Sequence, residues 1–167
     1  MSDFNTAILV VLANEGGYAN NSQDIGGETF CGISRTFHPE WVGWNLVDTF
    51  SDKSLAVANP ALQSLVRQFY YANFWKFEAV VDNRVAAKLL DSHVDTGSVI
   101  IRIVQSLVGV AADGVWGPQT ETAVNAANGD VLLSKMRRSL IGYRFDKVAK
   151  EPKQVVFLRG WVLRDAQ

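Results

Sequence analysis

The sequence predicts an all-α fold with one small hairpin-like loop after the first helix. Two observations lead to this prediction. Apolar residues recur at spacings of three and four in several separate segments, and Pro, Gly, Asn or Asp residues bound those segments where helices start or stop. The 167 residues, 48% hydrophobic and 20% charged, suit one domain or one compact body with a small appended lobe.

The first predicted helix ends at Glu15. Its apolar stripe consists of Phe4, Ala7, Ile8, Val11 and Leu12. Glu15 lies four residues past Val11 and continues this inward-facing stripe. Partial burial and the negative end of the helix both favour a protonated carboxyl, which a general acid needs near neutral pH. A Glu before Gly-Gly is also an ordinary last helical turn with a glycine cap, so both interpretations stay open for Glu15 alone.

A polar, glycine-rich loop follows, with Asp24 and Thr29. A carboxyl at a helix end, together with a second carboxylate and a hydroxyl on the next loop, can flank a bond from two sides. Glycoside hydrolysis requires such an arrangement. The loop also holds Cys31, the single cysteine, which cannot form an internal disulfide and fits synthesis in a reducing compartment. Between Phe30 and Gly32, it is predicted to be a packed small hydrophobe and not a nucleophile.

The remaining elements are predicted helices and turns. In chain order they are a helix start at Pro39-Glu40-Trp41, a short helical piece from Asp52 to about Asn59, a helix opened by Pro60, two helices or one bent helix over Asp82–Val108 with Gly97 at the break, a tight turn at Asp113-Gly114, a helix start at Gly117-Pro118, and last helices over Asp130–Val148 and Lys153–Arg164. The segment 82–108 is the most apolar and is predicted to lie at the centre of the fold. Phe157 and Trp161 are expected on the apolar stripe of the last helix.

The glycine-rich region carries a resemblance to a known family. Its segments are Glu15-Gly16-Gly17-Tyr18, Asp24-Ile25-Gly26-Gly27-Glu28-Thr29 and Gly32-Ile33-Ser34. They resemble the opening signature of glycoside hydrolase family 108, phage and prophage muramidases (endolysins), some known as secretion activators, with a lysozyme-like fold. The resemblance implies Glu15 as the proton donor to the glycosidic oxygen. It also implies that Asp24 positions or deprotonates the attacking water and that Thr29 helps to hold this water.

Further residues are expected at the substrate. Tyr18 and Gly27 lie inside the signature and are predicted to contact the glycan. Tyr71 and Trp75 belong to an aromatic segment similar to one in the family, and aromatic faces can stack on sugar rings. Core packing is the alternative for these two rings. Asp91 stands near an Asp of the family and is expected among the substrate-binding residues, where it buttresses the cleft.

Asp91, His93 and Asp95 carry side chains that bind metals. Spacings of two do not share a helix face, so no joint metal site is predicted. Asp95 stands where the family usually has Asn, so no sugar-binding role is transferred to it. No metal or organic cofactor is expected, because acid catalysis with charge stabilisation suffices for the reaction.

The C-terminal part also carries resemblances. Residues 105–110 and 113–120 resemble a small peptidoglycan-binding module of wall hydrolases, although turn chemistry alone explains them. Phe157-Leu158-Arg159-Gly160-Trp161 resembles the C-terminal motif of the family. We therefore expect residues 1–96 to form a lysozyme-like catalytic region. Residues 97–167 are expected to form a helical lobe packed into the same globule.

Charge is uneven along the chain. Residues 1–134 hold 7 Lys and Arg against 14 Asp and Glu, whereas residues 135–167 hold 9 against 3. The basic end is either a solvated helix face or a surface attracted to the anionic bacterial envelope. Nucleic acid is not the expected partner, because the rest of the chain is acidic. The expected partner is peptidoglycan, and the protein is expected to be a monomer.

The expected location follows from the N-terminal segment and the lack of a long apolar run. No run approaches the ~20 apolar residues of a membrane span, so no stable membrane insertion is expected. The N-terminus lacks a basic start and has periodic apolar residues, which predicts a structural helix instead of a signal peptide. We expect synthesis in the bacterial cytoplasm and action on the cell wall or in the periplasm after release or export.

The predicted function is a peptidoglycan hydrolase that cleaves the β-1,4 bond after N-acetylmuramic acid. Two alternatives stay open at this stage. One is a wall-binding or secretion-helper protein with little or no turnover, and the other is a lytic transglycosylase. The stereochemical outcome depends on the separation of the Glu15 and Asp24 carboxyls.

Overall fold

The computed structural model describes residues 1–20 and 26–167. Its helices are α1 (Phe4–Glu15), α2 (Gly43–Val47), α3 (Pro60–Phe74), α4 (Asn83–Thr96), α5 (Ser98–Val108), α6 (Pro118–Ala126), α7 (Gly129–Lys150) and α8 (Val155–Asp165), with 3-10 helices at Lys53–Ala58 and Pro152–Gln154. Its strands are β1 (Tyr18–Asn20), β2 (Glu28–Phe30) and β3 (Ile33–Ser34). The prediction of a lysozyme-like helical fold with a hairpin after the first helix is confirmed. Within the described residues, no helix has the length and apolar character to cross a membrane.

The chain divides into two compact units, one of residues 8–75 and one of residues 1–7 with 76–167. Helix α1 buries Ala7, Ile8 and Val11 as its stripe predicted. The predicted boundary between a catalytic region and a lobe, at residues 96 and 97, falls between α4 and α5. It stays a prediction.

Unit 8–75 contains an antiparallel sheet in the order β1-β2-β3. In its register, Ala19 of β1 pairs with Thr29 of β2, and Thr29 pairs with Ser34 of β3. Cys31 and Gly32 connect β2 to β3 with φ of 47° and 80°. Two successive residues of positive φ are the signature of a type I′ hairpin turn, which suits the twist of the flanking strands.

The core of this unit is aromatic and aliphatic. Its buried apolar side chains include Phe30, Cys31, Ile33, Trp41, Trp44, Val47, Ala56, Leu62, Val66 and Tyr70. Cys31 is 2% exposed and unpaired by any disulfide, and burial raises the pKa of its thiol. This confirms the prediction of a packed small hydrophobe.

Helix α3 starts as predicted, with Pro60 in its first turn. The Asn59 side chain caps it by accepting hydrogen bonds from two backbone amides. The helix start predicted at Pro39 is wrong, because α2 begins only at Gly43. The His38 carbonyl accepts from the Trp41 amide and from the Trp44 indole, at 3.2 and 2.8 Å, which holds the intervening chain in turns.

The second unit contains α4 to α8, and α7 packs against α4, α5 and α8. The break at Gly97 is confirmed: its φ of 58° separates α4 from α5 as two helices. The buried apolar side chains of this unit include Phe77, Val80, Val85, Ala86, Leu89, Leu90, Ile100, Ile101, Val104, Val124, Leu132, Leu133, Met136 and Leu140. The burial predicted for segment 82–108 is therefore confirmed in α4 and α5, and its central position in the fold stays a prediction.

The predicted apolar stripe of the last helix needs a correction at Phe157, which is 58% exposed. The inward side of α8 instead holds the buried Asp165, which is ion-paired with Arg144. Trp161 is half-buried, with its ring 5.1 Å from the Arg144 guanidinium. The Phe157 ring contacts the half-buried Trp161 ring, with 5.7 Å between the two ring centroids.

Candidate active site

Glu15 is the last residue of α1 and is half-buried. Gly16 follows with a φ of 73°, the left-handed conformation that commonly ends a helix at a glycine. The Glu15 carboxyl lies against the turn between β2 and β3. A Cβ atom at Gly32 would lie 2.7 Å from Oε2 of Glu15, so only a glycine leaves room for the carboxyl in this position.

Tyr70 of α3 reaches the same place. A Cβ atom at Gly32 would also lie 2.5 Å from the Tyr70 hydroxyl, so the side chains of Glu15 and Tyr70 border the same small volume. Tyr70 is 2% exposed, and its hydroxyl donates to the Cys31 carbonyl at 2.8 Å. Sequence reasoning assigned no role in the site to Tyr70. A buried stripe position with Tyr in place of Phe was the available signal, because a buried hydroxyl needs a partner.

Thr29 lies at the centre of β2 and is half-buried. Because side chains alternate along a strand, it points to the face opposite to Glu28 and Phe30. Gly32 follows three residues later, so Glu15 lies against the turn that ends the strand of Thr29. Asp24, predicted to position or deprotonate the water, lies outside the described residues.

The Tyr18 hydroxyl of β1 shares a hydrogen-bonding partner on β2 with the first residue of the 3-10 helix Lys53–Ala58. Its hydroxyl donates to Oε1 of Glu28 at 2.9 Å, and Lys53 donates to the same oxygen at 2.7 Å. Burial raises the pKa of Tyr18, and the hydrogen bond to the negative Glu28 raises it further. The ring is therefore held in one orientation with its hydroxyl protonated.

Glu28 is the centre of what we call the hairpin ion network, formed by Glu28, Arg35, Asp48 and Lys53. Arg35 Nε lies 2.6 Å from Oε2 of Glu28, and both Arg35 and Lys53 also pair with Oδ1 of Asp48. Burial alone would raise the pKa of Glu28, but hydrogen bonds from Lys53 and Tyr18 and the charge of Arg35 lower it. Hydrogen bonds from Arg35 and Lys53 lower the pKa of Asp48 to about 2.

The hairpin ion network was missed at the sequence level. Its members are spread over residues 28–53 at irregular spacings and belong to no common motif, so spacing gives no signal. In the structure they attach β2 to the segment that follows α2 and to the 3-10 helix. They therefore fix the strand that carries Thr29.

Gly27 precedes β2 with a φ of 58°, and a Cβ there would lie 3.1 Å from the Thr36 hydroxyl. The neighbouring Gly26 carbonyl accepts a hydrogen bond from the Ser34 hydroxyl at 2.7 Å. Backbone geometry thus accounts for a glycine at position 27. Its predicted contact with substrate stays a prediction.

Tyr71 and Trp75 lie at the end of α3 and just past it. Tyr71 is 50% exposed, whereas Trp75 is half-buried and donates its backbone amide to the Tyr71 carbonyl at 3.3 Å. An exposed aromatic ring has the area that stacking on a sugar requires. The cleft role of both residues remains a prediction.

Asp91, in the second unit, is 1% exposed, and its Oδ1 pairs with Arg164 Nη2 at 2.9 Å. This geometry fits a buttressing role within its unit better than direct contact with a glycan. His93 Nδ1 meets the Gly97 carbonyl at 2.9 Å, and Asp95 pairs with Arg144. Each of these three potential metal ligands therefore contacts a different partner within the protein.

Comparison with known proteins identifies the family. The glycosyl hydrolase 108 family matches residues 8–97, and a domain described as a predicted peptidoglycan domain matches residues 99–166. Among solved structures, SagA of Brucella abortus is similar, with a TM-score of 0.61 and 22% identity over 98% of this chain and 95% of that chain. At this identity, the likeness concerns the fold. No curated protein matches the chain.

The predicted family resemblance is confirmed, and it covers both parts of the chain. Residues 8–97 include Glu15, the paired strands β1 and β2, and the Gly32 turn. The second match covers α5 to α8. This chain therefore belongs to the glycosyl hydrolase 108 family and is a peptidoglycan-active glycosyl hydrolase.

Proposed function

We propose that this protein is an N-acetylmuramidase, which hydrolyses the β-1,4 bond between N-acetylmuramic acid and N-acetylglucosamine. The observation that carries the proposal is the position of Glu15: half-buried, at the negative end of α1, with its carboxyl against Gly32. Gly32 leaves the room that the Glu15 carboxyl needs beside the turn between β2 and β3. Such a group can protonate the leaving oxygen of a glycosidic bond.

In the proposed reaction, Glu15 donates its proton to the glycosidic oxygen as the bond to the anomeric carbon breaks. Positive charge develops on the sugar ring as an oxocarbenium-like state. Water then attacks the anomeric carbon, with Asp24 as the group that positions or deprotonates it and Thr29 as a group that holds it. The proton that Asp24 takes from this water passes to solvent, and Glu15 regains a proton from solvent, so the reaction consumes only water.

Tyr18, Gly27, Tyr71 and Trp75 are proposed to contact the glycan strand. The fixed orientation of Tyr18 and the exposed ring of Tyr71 support this role. We propose that Asp91 buttresses the cleft indirectly, through its ion pair with Arg164, and does not contact the glycan itself.

We also propose residues 1–96 as the catalytic region and residues 97–167 as the lobe that holds the glycan. The match of a peptidoglycan domain to residues 99–166 supports this division. The proposed site of action is the wall peptidoglycan of bacteria, reached after release or export from the cytoplasm.

The test is the Glu15→Gln variant, which keeps the size and hydrogen bonding of the side chain but cannot donate the proton. Lysis of outer-membrane-permeabilised cells should fall by roughly 10²–10⁴-fold. Glu40→Gln is the matched control, because the Glu40 side chain in the same unit is 75% exposed. It should lyse cells like the wild type, and lysis by Glu15→Gln at the control rate would remove Glu15 from the mechanism.

Product analysis separates the remaining activities. A muramidase releases one new reducing end, on N-acetylmuramic acid, for each bond that it cleaves. A transglycosylase forms an internal anhydro ring and no new reducing end. If the protein only binds the wall and has no turnover, the wild-type protein itself releases no fragments. Reducing ends on N-acetylglucosamine would assign the cleavage to the other glycosidic bond of the strand.

A further inference from the structure

Tyr70 of α3 is buried, and its hydroxyl reaches the turn beside Glu15. The hydroxyl donates to the Cys31 carbonyl at 2.8 Å. The Tyr70 ring packs edge-on against Phe69, with 5.5 Å between the ring centroids, and lies 5.7 Å from the Phe74 ring. Because packing holds the ring, the hydroxyl is held in one direction, towards the turn between β2 and β3.

The turn has a backbone conformation that its surroundings must hold. Cys31 is not a glycine, yet its φ is 47°. A side chain is strained at such a φ, and the conformation persists where the neighbouring structure fixes it. The Cys31 amide donates to the Gly17 carbonyl at 2.8 Å, and the Cys31 carbonyl accepts from Tyr70. The backbone of Cys31 is therefore held between α3 and the chain that follows Glu15.

Glu15 lies directly against the next residue of this turn. A Cβ atom at Gly32 would lie 2.7 Å from Oε2 of Glu15 and 2.5 Å from the Tyr70 hydroxyl. The two oxygens are therefore no further apart than the sum of these two distances. Gly32 is exposed, whereas Tyr70 is 2% exposed. A glycan in solvent can thus approach the turn without contacting Tyr70.

We infer that Tyr70 is a positioning residue for Glu15. Its hydroxyl holds the Cys31 carbonyl, and with it the Gly32 turn, in the place against which the Glu15 carboxyl lies. A displacement of about 1 Å at a reacting group can lower a rate about 10²-fold. Loss of the hydroxyl therefore acts on proton transfer by Glu15 and leaves binding of the glycan intact.

The inference rests on the proposed function, which gives Glu15 the role of proton donor. Two other roles for the Tyr70 hydroxyl lead to different results. A hydroxyl that only stabilises the fold changes the free energy of unfolding but leaves the rate of the folded protein unchanged. A hydroxyl that binds the glycan changes KM, and the burial of Tyr70 argues against such a contact. A positioning role changes kcat and leaves KM unchanged.

The test is the Tyr70→Phe variant, which removes the hydroxyl and keeps the ring. Its kinetics are measured on soluble, uncrosslinked peptidoglycan strands by counting new reducing ends, at a temperature at which circular dichroism shows the variant to be folded. We expect kcat to fall by about tenfold or more, with KM within about twofold of the wild type. An unchanged kcat, or a loss confined to KM, would overturn the inference.

Thr49→Val is the matched control in the same unit. The Thr49 hydroxyl also donates to a backbone carbonyl, that of Leu46, at 2.8 Å, but Thr49 is exposed. This variant tests the loss of one such hydrogen bond by itself, and it should keep the kcat and KM of the wild type. An equal fall of kcat in Thr49→Val and Tyr70→Phe would show no specific role for Tyr70 and would overturn the inference.

A double variant shows whether Tyr70 acts through Glu15. Added to Glu15→Gln, the Tyr70→Phe change should lower the remaining rate by less than about twofold, because the proton donor is already absent. Partial unfolding would lower that rate by the same factor as in the single variant, and this result would overturn the inference.

The two single variants separate this inference from the proposed function. Loss of lysis in Glu15→Gln together with a wild-type rate in Tyr70→Phe would overturn the inference and leave the proposed function intact. Full lysis by Glu15→Gln would contradict the proposed function, and the inference with it.

Discussion

The hairpin ion network and the ion pairs among α4, α7 and α8 use the same residue types in opposite surroundings. In the hairpin ion network, the Asp48 side chain is 47% exposed, and water weakens its pairs with Arg35 and Lys53. The side chains of Arg144 and Asp165 are both 2% exposed, so each charge depends on its partner. The Asp48 pairs therefore add little stability to the hairpin, whereas the helices around α7 depend on buried charges.

Removal of a buried charge should have the largest effect on stability. Arg144→Met leaves the Asp95 and Asp165 carboxylates without their guanidinium. We expect the free energy of unfolding to fall by about 3–5 kcal/mol, measured by urea denaturation. Arg138→Met, at an exposed position of the same helix, should stay within about 0.5 kcal/mol of the wild type. Similar losses in both variants would show that burial does not separate the two regions.

A change of backbone geometry at the hairpin should have an intermediate effect on stability and a large one on activity. Gly32→Ala places a Cβ against Glu15 and Tyr70, at a φ of 80°. Strain at a positive φ costs roughly 1–2 kcal/mol. Displacement of Glu15 should in addition lower wall lysis at least tenfold, because small misplacements of reacting groups can cost about 10²-fold.

Gly109→Ala is the matched control for this prediction. Its φ is 76°, and a Cβ there meets no atom within 4 Å. It should lose similar stability in urea denaturation and keep wall lysis. If both alanine variants lyse walls at the same rate, Gly32 is required only for its φ and not for the position of Glu15.

Loss of an exposed charge should have the smallest effect. Asp48→Asn should lower stability at pH 7 by less than ~1 kcal/mol, since the pair is screened. The folded-state pKa of Asp48 is lowered to about 2 from 3.8, so its contribution is present above about pH 4 and is lost as pH falls towards 2. Urea denaturation from pH 7 to pH 2 should show the variant and the wild type converging. A difference that persists undiminished at pH 2 would contradict this assignment.

The helical elements could be predicted from the sequence because they depend on local signals. Asn59 caps the start of α3, with Pro60 in the first turn. Gly97 separates α4 from α5 because a glycine adopts a positive φ without strain. Pro39 failed as a helix start because hydrogen bonds to the His38 carbonyl hold the segment in turns. That contact depends on a tryptophan further along the chain, which periodicity does not report.

The site was predictable only in part. Glu15 and Thr29 belong to a contiguous signature, and the structure brings the turn after Thr29 against Glu15. Tyr70, Lys53 and Arg35 reach the hairpin from other elements, so their contribution depends on tertiary packing. A single sequence contains no pattern that relates these positions to one another.

The most direct test of the account is a crystal structure of the Glu15→Gln variant with a muropeptide spanning the hydrolysed bond. The account predicts that the side chain of residue 15 lies within about 2.6–3.2 Å of the glycosidic oxygen between N-acetylmuramic acid and N-acetylglucosamine. A different carboxyl at that oxygen, with residue 15 turned away from the bound glycan, would contradict the assignment of Glu15 as the general acid.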